Sequence, residues 1–413
     1  MSSIKEIYAD PQIRKFSYYG FLKNLKFFEP YLVLFLLGQG LSLFQIGLLY
    51  TIREITINIL EVPSGIIGDK FGYKKELLLC FLFYIVSFII FFFTTHFFIA
   101  AIAMTFFGLG EAFRSGTHKA MIFNYLEIKG WENRKTLVYG KTRSASLLGS
   151  ALSSIFFIGI IMVVPTNNYI FLASILPYLL NFILITTYPN ELNTVDKKAS
   201  IKDHLKELKS HLIHKKEMQK VLLENGLFES SIESTKDLLQ PLLEATIVTS
   251  GMVILTQVNT DQTIKIVLGF TYAIIYIFSS YASKNAYRIK QHYANGNTLN
   301  TFLNRFNLFL GILLLFIAIS TQWPIIIILF FLLIYALNNT RKPLYIDVLG
   351  DLMAKDERAT ILSISSQLKS LLTMIIAPLI GYAADKLGIN DALAILGLFL
   401  ILIWTIGKIK SYK

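Results

Sequence analysis

Charge is scarce in this chain: Asp, Glu, Lys and Arg make up 16% of its 413 residues, against about 25% in a soluble domain. That shortage excludes a water-soluble globule. Cysteine is almost absent, and the single Cys80 can form no internal disulfide, so neither a disulfide scaffold nor dithiol chemistry is expected. The chain has no H-E-x-x-H, no Cys/His metal spacing and no G-x-S-x-G elbow. Gly140, Lys141 and Thr142 echo a phosphate loop, but Lys135 stands where that loop requires its upstream glycine. An enzyme is therefore not expected, and neither a cofactor nor a metal is called for. Residues 1–16 lack the basic start, short apolar core and small-residue cut site of a cleaved signal, so the first span is expected to serve as an uncleaved insertion signal.

What the chain has is apolar mass: 54% hydrophobic residues, including 33 Phe and 21 Tyr, and a mean hydropathy of +0.56. Disorder is excluded, because it requires low hydrophobicity. Apolar runs recur at about 17–38, 42–67, 76–96, 98–118, 137–164 and 168–188. After a polar stretch they resume at about 220–245, 263–283, 299–320, 323–340, 359–384 and 390–408. Each suits a bilayer span of roughly 20 residues. The expectation is an all-α membrane protein with 12 transmembrane helices, arranged as two six-helix bundles around a central cavity. The bundles would be 1–190 and 220–413, joined by a linker at 191–219.

A net charge of +12 would suggest nucleic acid in a soluble protein; here the positions of the charges decide otherwise. With an even span count, basic clusters at 5–15, 70–75, 119–135, 197–220, 284–290, 341–358 and 408–413 all fall on one side. The opposite loops hold only Lys386, with Lys265 just inside a span. Short cytoplasmic loops carry such an excess. The positive balance thus reports topology rather than nucleic acid, and both termini are expected to be cytoplasmic in a multi-pass protein of the cell membrane.

The linker reads as a basic amphipathic helix, with Ile201, Leu205, Leu208 and Leu212 at helical spacing. It suits a tether resting on the membrane surface, or a regulatory segment. His204, Glu207, His211 and His214 share a face and hint at a metal, but one exposed helix rarely closes a tetrahedral site.

Between the second and third runs the chain reads Gly65, Ile66, Ile67, Gly68, Asp69, Lys70, Phe71, Gly72, Tyr73, Lys74, Lys75. Together with six-plus-six spans, this resembles the major facilitator superfamily loop motif G-x-L-A-D-R-x-G-R-K. Lys74 falls on the last basic position, whereas Tyr73 replaces the preceding Arg. The resemblance implies that Asp69 helps to hold the two halves together in the outward-facing state. Gly108–Thr117 and Arg358–Ser363 are similar to a bacterial branch of drug and small-molecule exporters. There are departures as well. Met104 stands where that family carries a span-four Arg, and the Gly-Pro element of antiporters is absent from 149–159. The second-half counterpart of the loop motif, expected near 283–297, is degenerate. Gly381–Gly388 mimics it at the opposite end of a span and reads as a helix-end turn.

An ionisable residue at membrane depth costs about 2.5–3.5 kcal/mol on insertion scales, so it should face the interior with a partner. The first run carries Lys23, Lys26 and Glu29 on one helical face; the second carries Arg53, Glu54 and Glu61. The fourth adds Glu111 and Arg114. The seventh has Glu229, Glu233, Lys236 and Asp237, and the eleventh has Lys369 among Ser365, Ser366, Gln367 and Ser370. Carriers place substrate and coupling-ion sites near the midplane. Glu54, Glu61 and Glu111 are accordingly proton-coupling candidates. Lys26, Glu29, Arg53, Glu229, Glu233 and Lys369 are candidates for the substrate cavity, and the conformational loop motif comprises Gly65, Gly68, Asp69, Gly72 and Lys74. Fixed structural ion pairs are the alternative for any of these charges.

Charges spread over five helices suit alternating access better than the ring-lined filter of a channel. The expected function is secondary active transport by a monomer whose partners are a small-molecule substrate, protons and the lipid bilayer, with no nucleic acid. The resemblance implies proton-coupled efflux of amphipathic compounds or drugs. The alternative is a proton symporter importing a polar nutrient or organic anion.

Overall fold

The computed structural model describes residues 4–114, 117–131, 134–192, 216–251, 259–290, 292, 296–320, 322–352 and 358–411. Within these ranges the side chains of several residues, Gly65 and Asp69 among them, lie outside the description. The predicted linker helix, with Ile201 to Leu212 and the His204–His214 face, falls on 193–215 and is likewise outside the described residues.

All regular structure described is helical, as the bilayer requires: a lone span can satisfy its backbone amides only within itself. The helices are α1 (Ile4–Ala9), α2 (Pro11–Lys23), α3 (Leu32–Gly38), α4 (Leu43–Phe71), α5 (Tyr73–Phe92), α6 (Phe97–Arg114), α7 (Thr117–Ile128), α8 (Lys135–Val163) and α9 (Tyr169–Thr186). They continue as α10 (Lys216–Lys236), α11 (Leu239–Ser250), α12 (Thr260–Lys290), α13 (Gly296–Ile319), α14 (Pro324–Leu352), α15 (Arg358–Leu387) and α16 (Ile389–Ser411). Ten segments among the described residues are long and apolar enough to cross a membrane. Their outer faces carry exposed Ile59, Phe98, Val163, Leu176 and Ile319, side chains that a bilayer would cover. This is an all-α, multi-pass membrane protein.

The two remaining expected spans are each interrupted. The run at 17–38 stops at Lys23, turns through 24–28 and restarts with a 3-10 turn at Glu29–Tyr31 that leads into α3. The run at 220–245 stops at Lys236 and restarts at Leu239. Pro30 and Pro241 sit in the first turn of the restarted segments, where a missing N–H sacrifices no intrahelical bond. A continuous helix through either proline would have lost such a bond.

The chain divides into two compact units, Met1–Phe35 with Ile52–Ala199, and Leu36–Thr51 with Ser200–Lys413. In the first, α2 packs on α8 and α9, and α5 packs on α6 and α9. In the second, α10 packs on α15, α13 on α16, and α12 on α14. By order of spans, the first–fifth and third–sixth pairings of the first unit recur in the second, an internal repeat of packing. Residues 36–51 group with the second unit for a visible reason. The Asp385 carboxylate accepts hydrogen bonds from the backbone N–H groups of Leu43 and Phe44, at 2.9 and 2.8 Å, capping the start of α4. The Gly381–Gly388 stretch is thus more than a helix-end turn.

The loop motif forms a tight reversal. Gly72, at φ +95°, separates α4 from α5, a conformation that favours glycine. Its N–H bonds the Gly68 carbonyl at 2.7 Å, and Lys74 donates to the Tyr188 carbonyl at 2.8 Å.

Candidate functional site

In the first unit the site is built on the end of α2. Asp10 caps this helix, accepting from the N–H groups of Gln12 and Ile13, and takes a further hydrogen bond from the Tyr125 hydroxyl. Where α2 stops, α9 satisfies the backbone: Tyr178 donates to the Lys23 carbonyl at 2.9 Å and Asn181 to the Tyr19 carbonyl at 3.0 Å. Gly20 and Gly149 bring α2 and α8 together. A methyl group at Gly20 would meet the Thr142 carbonyl at 3.0 Å, and one at Gly149 would collide with the Phe21 carbonyl.

The broken helix end delivers Lys23 to α6, where its Nζ lies 4.0 Å from Glu111 Oε1. Arg114, one turn along α6, binds the other carboxylate oxygen through Nε and Nη2. Glu111 therefore sits between two cations. Beside them His118 stacks on Tyr19, with ring centroids 3.6 Å apart, and Phe16 meets the His118 edge. Tyr188, just past α9, approaches His118 Nε2 at 3.4 Å, and burial holds its phenol well above the usual range. Lys23, Arg114 and His118 form part of the wall of a cavity of about 350 Å³, completed by Lys119, Tyr139 and Arg143.

The second unit repeats the ion arrangement. Asn225, Glu229, Glu233 and Lys236 lie along one face of α10, at spacings of four, four and three residues. Glu233 pairs with Lys236 of its own helix and with Lys369 of α15, the latter at 3.3 Å. Glu229 accepts from Asn225 at 3.3 Å, and Asn225 in turn accepts from Arg341. Arg341 is buried, its guanidinium 4.4 Å from the centre of the Phe228 ring.

The residues singled out from sequence fall into four groups. Glu111, Glu233, Glu229 and Lys369 lie in these clusters. Arg53 and Glu54 pair with each other on α4, at 2.7 Å, and Glu61 lies two turns along the same helix. Lys26 lies over the Phe107 ring at 5.4 Å, and Glu29 opens the 3-10 turn. Of the loop-motif residues, Gly68, Gly72 and Lys74 are placed, while the side chain of Asp69 lies outside the described residues. The reading of Arg341 and Lys342 as loop charges is corrected: α14 continues to Leu352 and carries both inside the second unit. Lys119 and Arg143 were missed as site residues because the one reads as a loop charge and the other as an isolated residue in an apolar run. Among the described residues no three His, Cys, Asp or Glu side chains cluster to hold a metal.

The sequence model of the Major Facilitator Superfamily matches residues 24–372. The chain belongs to that superfamily. It is 33% identical over 90 residues to the "Uncharacterized MFS-type transporter YxaM" of Bacillus subtilis (strain 168), covering 22% of this chain and 23% of the relative's length. Among solved structures, a mutant form of the nucleoside transporter NupG superposes with a TM-score of 0.80 at 11% identity, over 97% of this chain and 100% of that one. A POT family transporter in complex with a thioalcohol-conjugated peptide gives 0.70 at 14% identity, over 97% and 94%. At such identities the two structures speak for the fold alone. The superfamily membership makes this chain a membrane transporter.

Proposed function

We propose that this chain is a proton-coupled secondary transporter of small molecules, working by alternating access as a monomer in the cell membrane with both termini cytoplasmic. The observation that carries the coupling is the carboxylate held between two cations in each unit, Glu111 by Lys23 and Arg114 and Glu233 by Lys236 and Lys369. A desolvated carboxylate tolerates its charge only while a cation is near. Movement of one cation, or its capture by substrate, leaves a partly buried carboxylate that a proton neutralises. Glu54 is the next candidate, its partner Arg53 being the adjacent residue on the same helix.

Efflux of amphipathic compounds is the direction that the sequence resemblance supports. The surplus of cations around the first-unit cavity supports proton symport of an anion instead. Inverted membrane vesicles carrying this chain decide between them. An exported substrate added to energised vesicles should release protons from the acidified lumen as it is accumulated; a symported anion preloaded into the lumen should instead leave with the protons, faster when the lumen is acidified. Glu111→Gln and Glu233→Gln should each cut gradient-driven flux about tenfold or more, equivalent to ~1.4 kcal/mol, with unchanged membrane insertion. Full flux in both variants would remove these carboxylates from the mechanism.

A further inference from the structure

We propose that the cavity of the first unit binds a small organic anion, a carboxylate or phosphate group carried on a flat or aromatic body, and that binding draws a proton onto Glu111. The proposal rests on the carrier function above and adds its ligand chemistry. Four cations, Lys23, Arg114, Lys119 and Arg143, stand in the cavity wall. The one carboxylate paired with any of them among the described residues is Glu111, engaged by both Lys23 and Arg114. Arg143 makes no hydrogen bond or ion pair among the described residues, and Lys119 touches only the faces of Phe123 and Tyr139, 5.6 Å from each. Guanidinium forks match carboxylate and phosphate geometry. A cationic drug would be repelled by these like charges, which Glu111 offsets only in part, and a neutral one would gain no ion pair.

Several polar groups of the wall are already spent on the backbone. Thr142 and Ser146 spend their hydroxyl protons on the backbone carbonyls of Tyr139 and Thr142, and Asn24 donates to the Gly20 carbonyl. The donors that remain include the four cations and the Tyr19 hydroxyl, which is buried with no partner among the described residues. Phe16, Tyr19, His118 and Tyr139 supply aromatic surface for a flat body. A volume of about 350 Å³ lies at the small end of the ~300–1,000 Å³ typical of ligand pockets, enough for a single-ring compound.

Glu111 and the ligand compete for the same cations. Lys23, at 4.0 Å, is the looser of the two partners, so an arriving anion takes it first. Glu111, left with less compensation, takes up a proton from solvent. One anion and one proton enter together, and charge is conserved.

The test uses purified full-length protein in detergent and isothermal calorimetry in buffers of differing ionisation enthalpy. The probes are benzoate and phenyl phosphate, with benzamide and benzylamine as neutral and cationic counterparts. Both anions should bind saturably, with close to one proton taken up, while the amide and the amine do not bind. Arg143→Gln should weaken benzoate at least about tenfold. Arg143→Lys should recover part of this, which separates lost charge from lost folding. Glu111→Gln should tighten the anions and abolish the proton uptake. Stabilisation by phosphatidylglycerol but by neither soluble anion would assign the same anion chemistry to a lipid headgroup. The proposal is overturned if benzamide binds as well as benzoate, if neither soluble anion saturates and phosphatidylglycerol has no effect, or if Arg143→Gln leaves affinity unchanged. Anion binding without gradient-driven flux would sink the carrier function and leave the site standing. Gradient-driven flux without anion binding would do the reverse.

Discussion

The two units solve one electrostatic problem with exchanged parts. In the first, the interrupted helix α2 contributes the cation, Lys23, and the long helix α6 carries the carboxylate and its second cation, Glu111 and Arg114. In the second, the interrupted helix α10 carries the carboxylate and cation, Glu233 and Lys236, and the long helix α15 contributes Lys369. The i,i+3 pair and the long-range third charge are common to both. This recurrence says that neutralising a partly buried carboxylate is the constraint, and that which helix supplies which charge is free to vary. What is not repeated is therefore the more informative. The first cluster borders a cavity with further cations, Lys119 and Arg143. In the second, Arg341 donates to Asn225 and lies over the ring of Phe228, while its Nε is buried without a hydrogen-bond partner among the described residues. On the proposal above, the first cluster receives an external anion beside Glu111, and the second, with Glu233, supplies the control.

The largest break in the comparison should come from removing either carboxylate. Glu233→Gln leaves Lys236 and Lys369 facing one another, and Glu111→Gln does the same to Lys23 and Arg114. Each side chain keeps some exposure, so the expected cost is near the lower end of the ~3–5 kcal/mol for breaking a buried pair. Thermal unfolding in detergent measures it. The two variants should part company when benzoate is added: the anion restores stability to Glu111→Gln by taking the vacated place, and leaves Glu233→Gln unchanged. Equal response of both would erase the distinction drawn between the units.

Next in size is a packing effect confined to the first unit. Gly149→Ala places a methyl group against the Phe21 carbonyl, forcing α2 from α8 at about 1–3 kcal/mol. Because Lys23 rides on the end of α2, benzoate affinity should fall as well. Affinity that stays at the parent value while stability drops would show that the cavity does not depend on the α2–α8 spacing.

A double-mutant cycle sharpens the comparison further. Lys369 approaches Glu233 at 3.3 Å, whereas Lys23 stands 4.0 Å from Glu111. Coupling between Lys369→Gln and Glu233→Gln should exceed that between Lys23→Gln and Glu111→Gln, the latter being about 1 kcal/mol or less. The reverse order would contradict the assignment of Lys23 as the cation that yields.

Much of the fold was legible in the sequence, because a bilayer leaves the chain few choices. Apolar runs of span length and the one-sided distribution of Lys and Arg marked ten helices, eight of them within four residues of their observed bounds, whereas α12 and α14 run seven and twelve residues past the expected ends. The two interruptions were less visible. Lys23, Lys26 and Glu29 look like one stripe of a continuous helix, yet the helix ends at Lys23, and Pro30 was the signal that a new segment begins. Of the site, the spacing of Glu111 to Arg114 and of Glu233 to Lys236 could be read directly, since i,i+3 residues meet on any helix. The third charge of each cluster could not. Lys23 and Lys26 are equivalent by spacing, and only the fold sends one to Glu111 and the other over Phe107. Arg341 was hidden differently: the apolar run ends before it, and its partner Asn225 is 116 residues away.

The smallest effect concerns how each interruption is sealed. The break after Lys23 relies on side chains of a neighbouring helix, Tyr178 and Asn181 of α9. The break after Lys236 is closed by its own backbone, Leu238 N–H to the Thr235 carbonyl at 3.0 Å, and the Tyr272 hydroxyl accepts from the Gln240 side-chain amide. Tyr178→Phe therefore removes a hydrogen bond worth about 1 kcal/mol and leaves the Lys23 carbonyl without its donor. Tyr272→Phe costs a similar amount but leaves the turn itself intact. Amide hydrogen exchange separates the two: protection should fall across residues 24–28 in Tyr178→Phe, and stay at the parent level around Leu238 in Tyr272→Phe. If both breaks loosened equally, the first would be as self-contained as the second. The positioning of Lys23 would then have to come from the α2–α8 contact alone.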